Sequence, residues 1–132
     1  MIDARIQEAQ QLFWQVETLR SLEVSPKAII SKLDRMAQLH EELARDLLGR
    51  AVSAGWIDLF ASVTAWGEAG KEQRARRLLG FGKQAAQAFE GQETLLEELG
   101  RLESWLSGLR VVPALEDFAR PLPRFERVGV AA

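Results

Sequence analysis

The stretch SPKAIISKLDRMAQLHEELARDLLGRAVSAG, residues 25–55, carries the longest helical pattern in the chain. Ser25 is a typical helix N-cap, and Pro26 suits the first helical position, where its missing backbone N–H costs no hydrogen bond. Gly55 is typical of the residue that follows a helix, so the pattern predicts a helix from Pro26 to about Ala54. Such a helix, of about 28 residues, would be about 42 Å long at 1.5 Å per residue, which favours an extended helical hairpin.

One face of this predicted helix is apolar over its whole length. Alternating spacings of four and three residues place six side chains on one stripe: Ile29, Leu33, Met36, His40, Leu43 and Leu47. A second set widens the stripe on one side: Ile30, Ala37, Ala44 and Leu48. The stripe is wider than the seam that one neighbouring helix needs. We therefore expect the remaining apolar surface to pair with another molecule, most simply a second copy of the chain.

Helical patterns also precede and follow this stretch. Residues 2–22 carry a seam at helical spacing: Ile2, Ile6, Ala9, Phe13 and Val16. Residues 56–66 place five large side chains on one face, before the glycines of GEAG: Trp56, Leu59, Phe60, Val63 and Trp66. Two further helices are predicted over about 71–90 and about 92–109. The sequence thus predicts an all-α fold, a long N-terminal helical hairpin with three shorter helices packed on it.

The helical pattern ends near residue 112. The last stretch, RPLPRFERVGVAA (residues 120–132), is interrupted by prolines and is typical of extended chain. A chain of 132 residues is long enough for one domain with its own core. We therefore expect one helical domain over residues 1–112 and an extended tail over residues 113–132.

Composition narrows the classes of function. The net charge of −2 gives no overall basic field that would attract nucleic acid or anionic lipid. The chain has no cysteine, which removes disulfides, thiolate metal sites and cysteine nucleophiles. The N-terminus resembles no signal peptide, and no apolar run approaches the roughly 18 residues that span a membrane. We expect a cytoplasmic protein that does not bind membranes.

The sequence offers little that could support catalysis. It has no phosphate-binding loop, no dinucleotide-binding glycine pattern and no nucleophile elbow. His40 is the only histidine, and no Glu-x-x-His spacing occurs, so we expect no metal, no cofactor and no enzymatic activity. Because His40 falls within the apolar stripe, we expect a core or interface histidine bonded to a neighbouring group. The alternative is a pH-sensitive switch of oligomeric state.

The stretch KEQRARRLLGFGKQ, residues 71–84, is basic and contains two glycines. On a helical wheel Gly82 lies on the apolar face and Gly80 on the opposite side. Four basic side chains bracket that face, with Arg74 and Arg76 predicted on one flank and Arg77 and Lys83 on the other. Residues 71–90 hold five basic and two acidic side chains, whereas residues 92–109 hold one basic and four acidic. Pairing between the two helices is the simpler interpretation. The alternative is contact with RNA or single-stranded DNA phosphates.

Trp14 lies about 120° from the seam of its own helix. It therefore packs on a second helix layer or marks a binding surface, where tryptophan is enriched. We interpret the chain as a non-enzymatic protein–protein interaction or assembly protein, homo-oligomeric, with itself and a further protein as partners. The predicted interface residues are Trp14, Ile30, Ala37, His40, Ala44 and Leu48. The alternative is a helical subunit of a nucleoprotein complex that contacts phosphates through Arg74, Arg76, Arg77 and Lys83.

Overall fold

The structure, a computed structural model, describes residues 3–23 and 25–111, with side chains as far as Gly108. Within these ranges the chain forms five helices and no strand: α1 Ala4–Ser21, α2 Pro26–Gly49, α3 Gly55–Glu68, α4 Glu72–Ala85 and α5 Gln92–Val111. The predicted all-α fold with an N-terminal helical hairpin is confirmed. The predicted seam residue Ile2 and the predicted tail over residues 113–132 lie outside the described residues.

Helices α1 and α2 begin where their capping residues place them. The side chain of Ser25 accepts a hydrogen bond from the backbone N–H of Lys27 at 3.3 Å, with Pro26 in the first turn. Asp3 caps α1 in the same way, accepting from the backbone N–H of Arg5 at 2.9 Å. Each cap satisfies one of the backbone donors that a helix start leaves without a partner.

The predicted end of the second helix is wrong, because α2 stops at Gly49 and not near Ala54. Ala51 adopts a positive φ of 58°, and its N–H bonds to the carbonyl of Leu48 at 3.0 Å. The N–H of Val52 bonds to the carbonyl of Leu47 at 2.8 Å, which completes a Schellman motif. Glycine usually takes the left-handed position of this motif, so an alanine there gave no signal in the sequence.

Gly55 opens α3 instead of closing α2. A Cβ atom on Gly55 would lie 2.9 Å from Leu47 Cβ and 2.9 Å from Leu48 Cγ. The missing side chain therefore lets α3 start directly against the end of α2. The predicted helix over 71–90 also ends early: α4 stops at Ala85, and a short 3-10 turn over Ala86–Ala88 follows it.

Helix α2 lies at the centre of the fold, in contact with α1, α3 and α4. The expectation that its apolar stripe remains partly uncovered is wrong for all of the second set except Ile30, which is 38% exposed. Ala37 and Ala44 are fully buried and Leu48 is 4% exposed. Helix α3 covers this flank, since the hydroxyl of Ser62 donates to the carbonyl of Ala37 at 2.8 Å.

Helices α3, α4 and α5 complete the core around the predicted tryptophans. Trp56, Trp66 and Trp105 are all buried, as their positions on apolar stripes predict. None of the described helices combines the length and the apolarity that a membrane span requires.

Candidate interaction surface

Few residues of helix α1 are buried for a helix of its length. Of its 18 residues only Ala9 and Val16 are buried, whereas seven residues of α2 are buried. Helix α1 packs along α2, and its backbone does not come close to that of α3. A groove of about 430 Å³ therefore remains between α1 and α3, with α2 as its floor.

The groove is apolar along its floor and is bordered by two exposed side chains. Val16, Leu33 and Met36 line the floor. Trp14 of α1 and Ile57 of α3 also line the groove, and they are 67% and 65% exposed. Trp14 rests edge-on against Phe13, with ring centroids 5.3 Å apart. Of the two interpretations of Trp14, packing on a second helix layer is therefore wrong for the described part of the chain.

One end of the groove is closed by an ion pair between its two walls. Arg20 of α1 meets Glu68 of α3, with Nη2 3.0 Å from Oε1. The Glu68 side chain is only 5% exposed, and that of Arg20 is 28% exposed. Arg20 also lies 3.5 Å from Glu17, one turn earlier in α1. The pair formed by Arg20 and Glu68 links α1 directly to α3.

His40 lies beside the groove and joins α2 to α3. Its Nδ1 is 2.9 Å from Oδ1 of Asp58, and the two side chains are 19% and 14% exposed. The expected hydrogen bond between His40 and a neighbouring group is confirmed. The role of His40 at an interface stays a prediction.

The outward face of α1 carries no charge. Nine residues of this helix are exposed, and none is acidic or basic: Ala4, Ile6, Gln7, Gln10, Gln11, Trp14, Gln15, Thr18 and Ser21. In α2, by comparison, five of eleven exposed residues are charged. The cores of protein interfaces are depleted in charged residues and enriched in tryptophan, and this face shares both features.

The charged residues of α1 are all engaged at its sides. Arg5 meets Asp46 of α2 at 3.3 Å, and Glu8 accepts from Nε of Arg35 at 2.8 Å. Arg20 and Glu17 belong to the ion pairs at the end of the groove. The helix is therefore docked by its charged flanks and leaves its neutral face outward.

The structure separates the predicted interface residues. Trp14 and Ile30 are exposed, by 67% and 38%. Ala37, Ala44 and Leu48 lie inside the core of the chain and offer no surface to a partner in this fold. The sequence reasoning missed Ile57, because its place on the groove depends on how α3 packs. It also missed the neutral face, although the glutamine-rich run EAQQLFWQ was a visible signal.

The basic residues of α4 divide differently from the prediction. Arg76 and Lys83 face α5, where Arg76 donates to Oγ of Ser107 at 3.1 Å and Lys83 to Oε2 of Glu103 at 2.7 Å. Arg74 and Arg77 face α2 instead. The predicted flanks were wrong, because residues seven or three apart share a helix face, whereas Arg74 and Arg76 do not. Pairing with α5 is confirmed for Lys83.

The two glycines of α4 lie where the helical wheel predicts. Gly82 is buried, and a Cβ on it would lie 3.0 Å from Leu59 Cδ1. Gly80 is exposed, and a Cβ on it would meet nothing within 4 Å. The close approach of α3 to α4 therefore requires a small residue at position 82, whereas position 80 has room for a larger side chain.

A scan against protein-family models finds no match, and searches of curated proteins and of solved structures find no significant similarity. Within residues 3–23 and 25–111, no group of three or more histidine, aspartate or glutamate side chains is arranged to hold a metal ion. The geometry of the chain's own surfaces is therefore what bears on function.

Proposed function

We propose that the protein is a non-enzymatic interaction protein that pairs with a second copy of itself through α1 and the groove beside it. The observation that carries this proposal is the neutral outward face of α1, with Trp14 67% exposed at its centre. Two such faces can approach without burying an unpaired charge, which is the main cost that charged surfaces bring to an interface.

A second copy fits this surface because the surface is self-complementary. It presents two apolar projections, Trp14 and Ile57, beside an apolar recess with Val16 and Leu33 on its floor. A two-fold axis brings the projections of one copy to the recess of the other and buries both at once. The sequence-based expectation placed the interface on the first two helices, at Trp14 and along the stripe of α2. The present proposal keeps Trp14 and replaces the stripe of α2 with the groove beside α1.

The size of the surface indicates the strength of pairing. An 18-residue helix is about 27 Å long and about 10 Å wide, so its outward face offers a few hundred Å² per copy. That area is at the low end for specific complexes, so we expect a dimer that dissociates in the micromolar range.

Sedimentation velocity across micromolar concentrations tests the proposal. The unaltered chain should shift from monomer towards dimer as its concentration rises. Trp14→Glu should hold it monomeric, because each interface would then bury a carboxylate on either side of the axis. Leu96→Glu is the matched control, since Leu96 is also exposed but lies on α5. A chain that stays monomeric throughout, or equal loss of dimer in both variants, would contradict self-association through α1.

Binding to RNA or single-stranded DNA has less support. Two of its four proposed contacts, Arg76 and Lys83, are engaged with Glu72, Ser107 and Glu103. A backbone-tracking site gathers its charges along one groove, whereas these side chains lie on two flanks of α4. Salt-dependent retention on a single-stranded DNA column that Arg76→Glu abolishes would reverse this ranking.

A further inference from the structure

We propose that Arg45, Arg74 and Arg77 form a binding site for a phosphate monoester. The three side chains and Glu41 line a small pocket of about 190 Å³ between α2 and α4. Three guanidinium groups and one carboxylate leave the pocket with two positive charges, in a chain whose net charge is −2. The pocket shares no residue with the groove beside α1, so the two proposals stand or fall separately.

Glu41 offsets one of the three positive charges, and each of its oxygens already accepts a hydrogen bond. Oε1 accepts from Nε1 of Trp66 at 2.9 Å, and Oε2 accepts from Nε of Arg45 at 2.9 Å. The carboxylate therefore acts as a brace that holds Arg45 in place. It leaves the donors of Arg74 and Arg77 for another acceptor.

Two of the guanidinium groups are stacked on aromatic rings. That of Arg45 lies 4.9 Å from the centroid of Phe81, and that of Arg74 lies 4.8 Å from a Trp66 ring centroid. A guanidinium group that lies over an aromatic ring is attracted to the face of that ring, and its N–H donors can still bond to other acceptors. These contacts hold two of the three arginines, Arg45 and Arg74, beside the pocket.

Arg74 and Arg77 differ from the other basic side chains of α4. Arg76 pairs with Glu72 and Lys83 with Glu103. Among the described residues, Arg74 and Arg77 have no carboxylate partner of their own. Like charges held together in this way repel each other, and an anion in the pocket would offset that repulsion.

The charge and shape of the pocket favour a phosphate monoester over a nucleic-acid backbone. A monoester carries about −1.5 to −2 charges at pH 7 on three oxygens, which matches the two excess positive charges. Arginine binds such oxygens with two parallel N–H donors. A phosphodiester backbone has one charge per unit along a line, whereas these arginines line one small pocket. The monoester could belong to a small molecule or to a phosphorylated side chain.

Calorimetric titration of the full chain at low ionic strength tests the site. The probes are inorganic phosphate, glycerol phosphate and a serine-phosphorylated peptide. We expect saturable binding of all three. Tighter binding of the peptide would identify a protein as the source of the phosphate, and tighter binding of glycerol phosphate would identify a small molecule.

Arg77→Gln is the informative variant, because Arg77 is exposed and its loss leaves the packing of α4 unchanged. It should weaken phosphate binding roughly tenfold or more, as expected for loss of a charge-assisted bond. The phosphate affinity of Arg77→Lys should fall between those of the unaltered chain and Arg77→Gln, since lysine keeps the charge but lacks the paired N–H donors of arginine. Arg101→Gln on α5 is the control and should leave affinity unchanged. Absence of saturable binding, equal loss in Arg101→Gln, or oligonucleotide binding that glycerol phosphate cannot displace would overturn the proposal.

Discussion

Helices α1 and α3 lie against the same central helix, yet they use it in opposite ways. Nine of the fourteen residues of α3 are buried, against two of the eighteen residues of α1. Helix α3 is apolar around most of its circumference, which is typical of a helix enclosed by others. Helix α1 spreads its apolar residues so that Trp14 and Ile6 point away from the core. Helix α3 is thus largely enclosed by the core, whereas most of the surface of α1 stays accessible.

The two helices also differ in how exposed their polar contacts with α2 are. Helix α3 is held by a buried hydrogen bond from Ser62 to the backbone of α2. Helix α1 is held on α2 by exposed ion pairs, such as Glu8 with Arg35. Exposed pairs contribute roughly 0.2–1 kcal/mol each, so α1 should open locally before the remaining helices unfold.

Truncating one tryptophan on each helix gives the largest expected contrast. Trp66→Ala removes a 1%-exposed side chain from α3 and should lower the free energy of unfolding by about 3–5 kcal/mol. Trp14→Ala removes a 67%-exposed side chain from α1 and should change it by no more than about 0.5 kcal/mol. Urea unfolding at a concentration where the chain is monomeric measures both. Equal losses would show that α1 belongs to the core as fully as α3 does.

The ion pairs of α1 provide a second, smaller contrast. Arg20→Met leaves the 5%-exposed carboxylate of Glu68 without its guanidinium and should cost about 1–3 kcal/mol. Arg35→Met breaks an ion pair whose two side chains are 48% and 42% exposed, and should cost clearly less because water screens an exposed pair. The same urea titrations measure the difference. If Arg35→Met cost as much as Arg20→Met, α1 would be anchored to α2 as firmly as to α3.

The fold could be predicted largely from sequence because its signals are local. The cap at Ser25, the apolar stripes and the glycine turn before α4 each depend on a few neighbouring residues. The end of α2 was misplaced because Ala51 holds a conformation that glycine normally provides. No local pattern reveals that substitution.

The candidate surface could be predicted only in part. Trp14 stood out because it lies off its own seam. The sequence-based prediction placed three residues at an interface that in fact lie in the core: Ala37, Ala44 and Leu48. Which helix covers a stripe depends on tertiary packing, which a local pattern does not show. The pocket around Glu41 was missed because it joins residues about thirty positions apart on α2 and α4.

Substitutions at the two glycines of α4 test how closely α4 packs against α3. Gly80→Ala should stabilise the protein by about 0.5–1 kcal/mol, because alanine favours a helix and nothing obstructs its methyl group. Gly82→Ala should gain less or lose stability, because its methyl group would press on Leu59 and Leu99. Thermal unfolding of the two variants compares them directly. A larger gain from Gly82→Ala would mean that α3 and α4 pack less closely than the structure indicates.

Lowering the pH should destabilise α1 more than α3, and this is the smallest of the expected differences. Hydrogen bonds from the Arg5 side chain, then from its backbone N–H, lower the pKa of Asp3 from 3.8 to about 2. The hydrogen bond from Arg35 likewise lowers the pKa of Glu8. A carboxyl group whose pKa is lowered by folding stabilises the fold fully above its unfolded value and loses that contribution as pH falls through the folded value. The capped start of α1 should therefore weaken between about pH 4 and pH 2, and the attachment of α1 to α2 should weaken as Glu8 is protonated.

Amide hydrogen exchange followed by mass spectrometry can resolve this helix by helix. Lowering the pH through that range should speed opening of α1 relative to α3, after correction for intrinsic exchange, because α3 is held mainly by its nine buried residues and by the bond from Ser62 to the backbone of Ala37, whereas α1 has two buried residues. Asp3→Asn keeps a capping side chain but removes the carboxylate, so it should flatten the pH dependence of α1. Glu93→Gln on α5 is the control and should leave that dependence intact. If α1 and α3 opened in parallel as the pH fell, the ion pairs at the flanks of α1 would not be what holds it to the bundle.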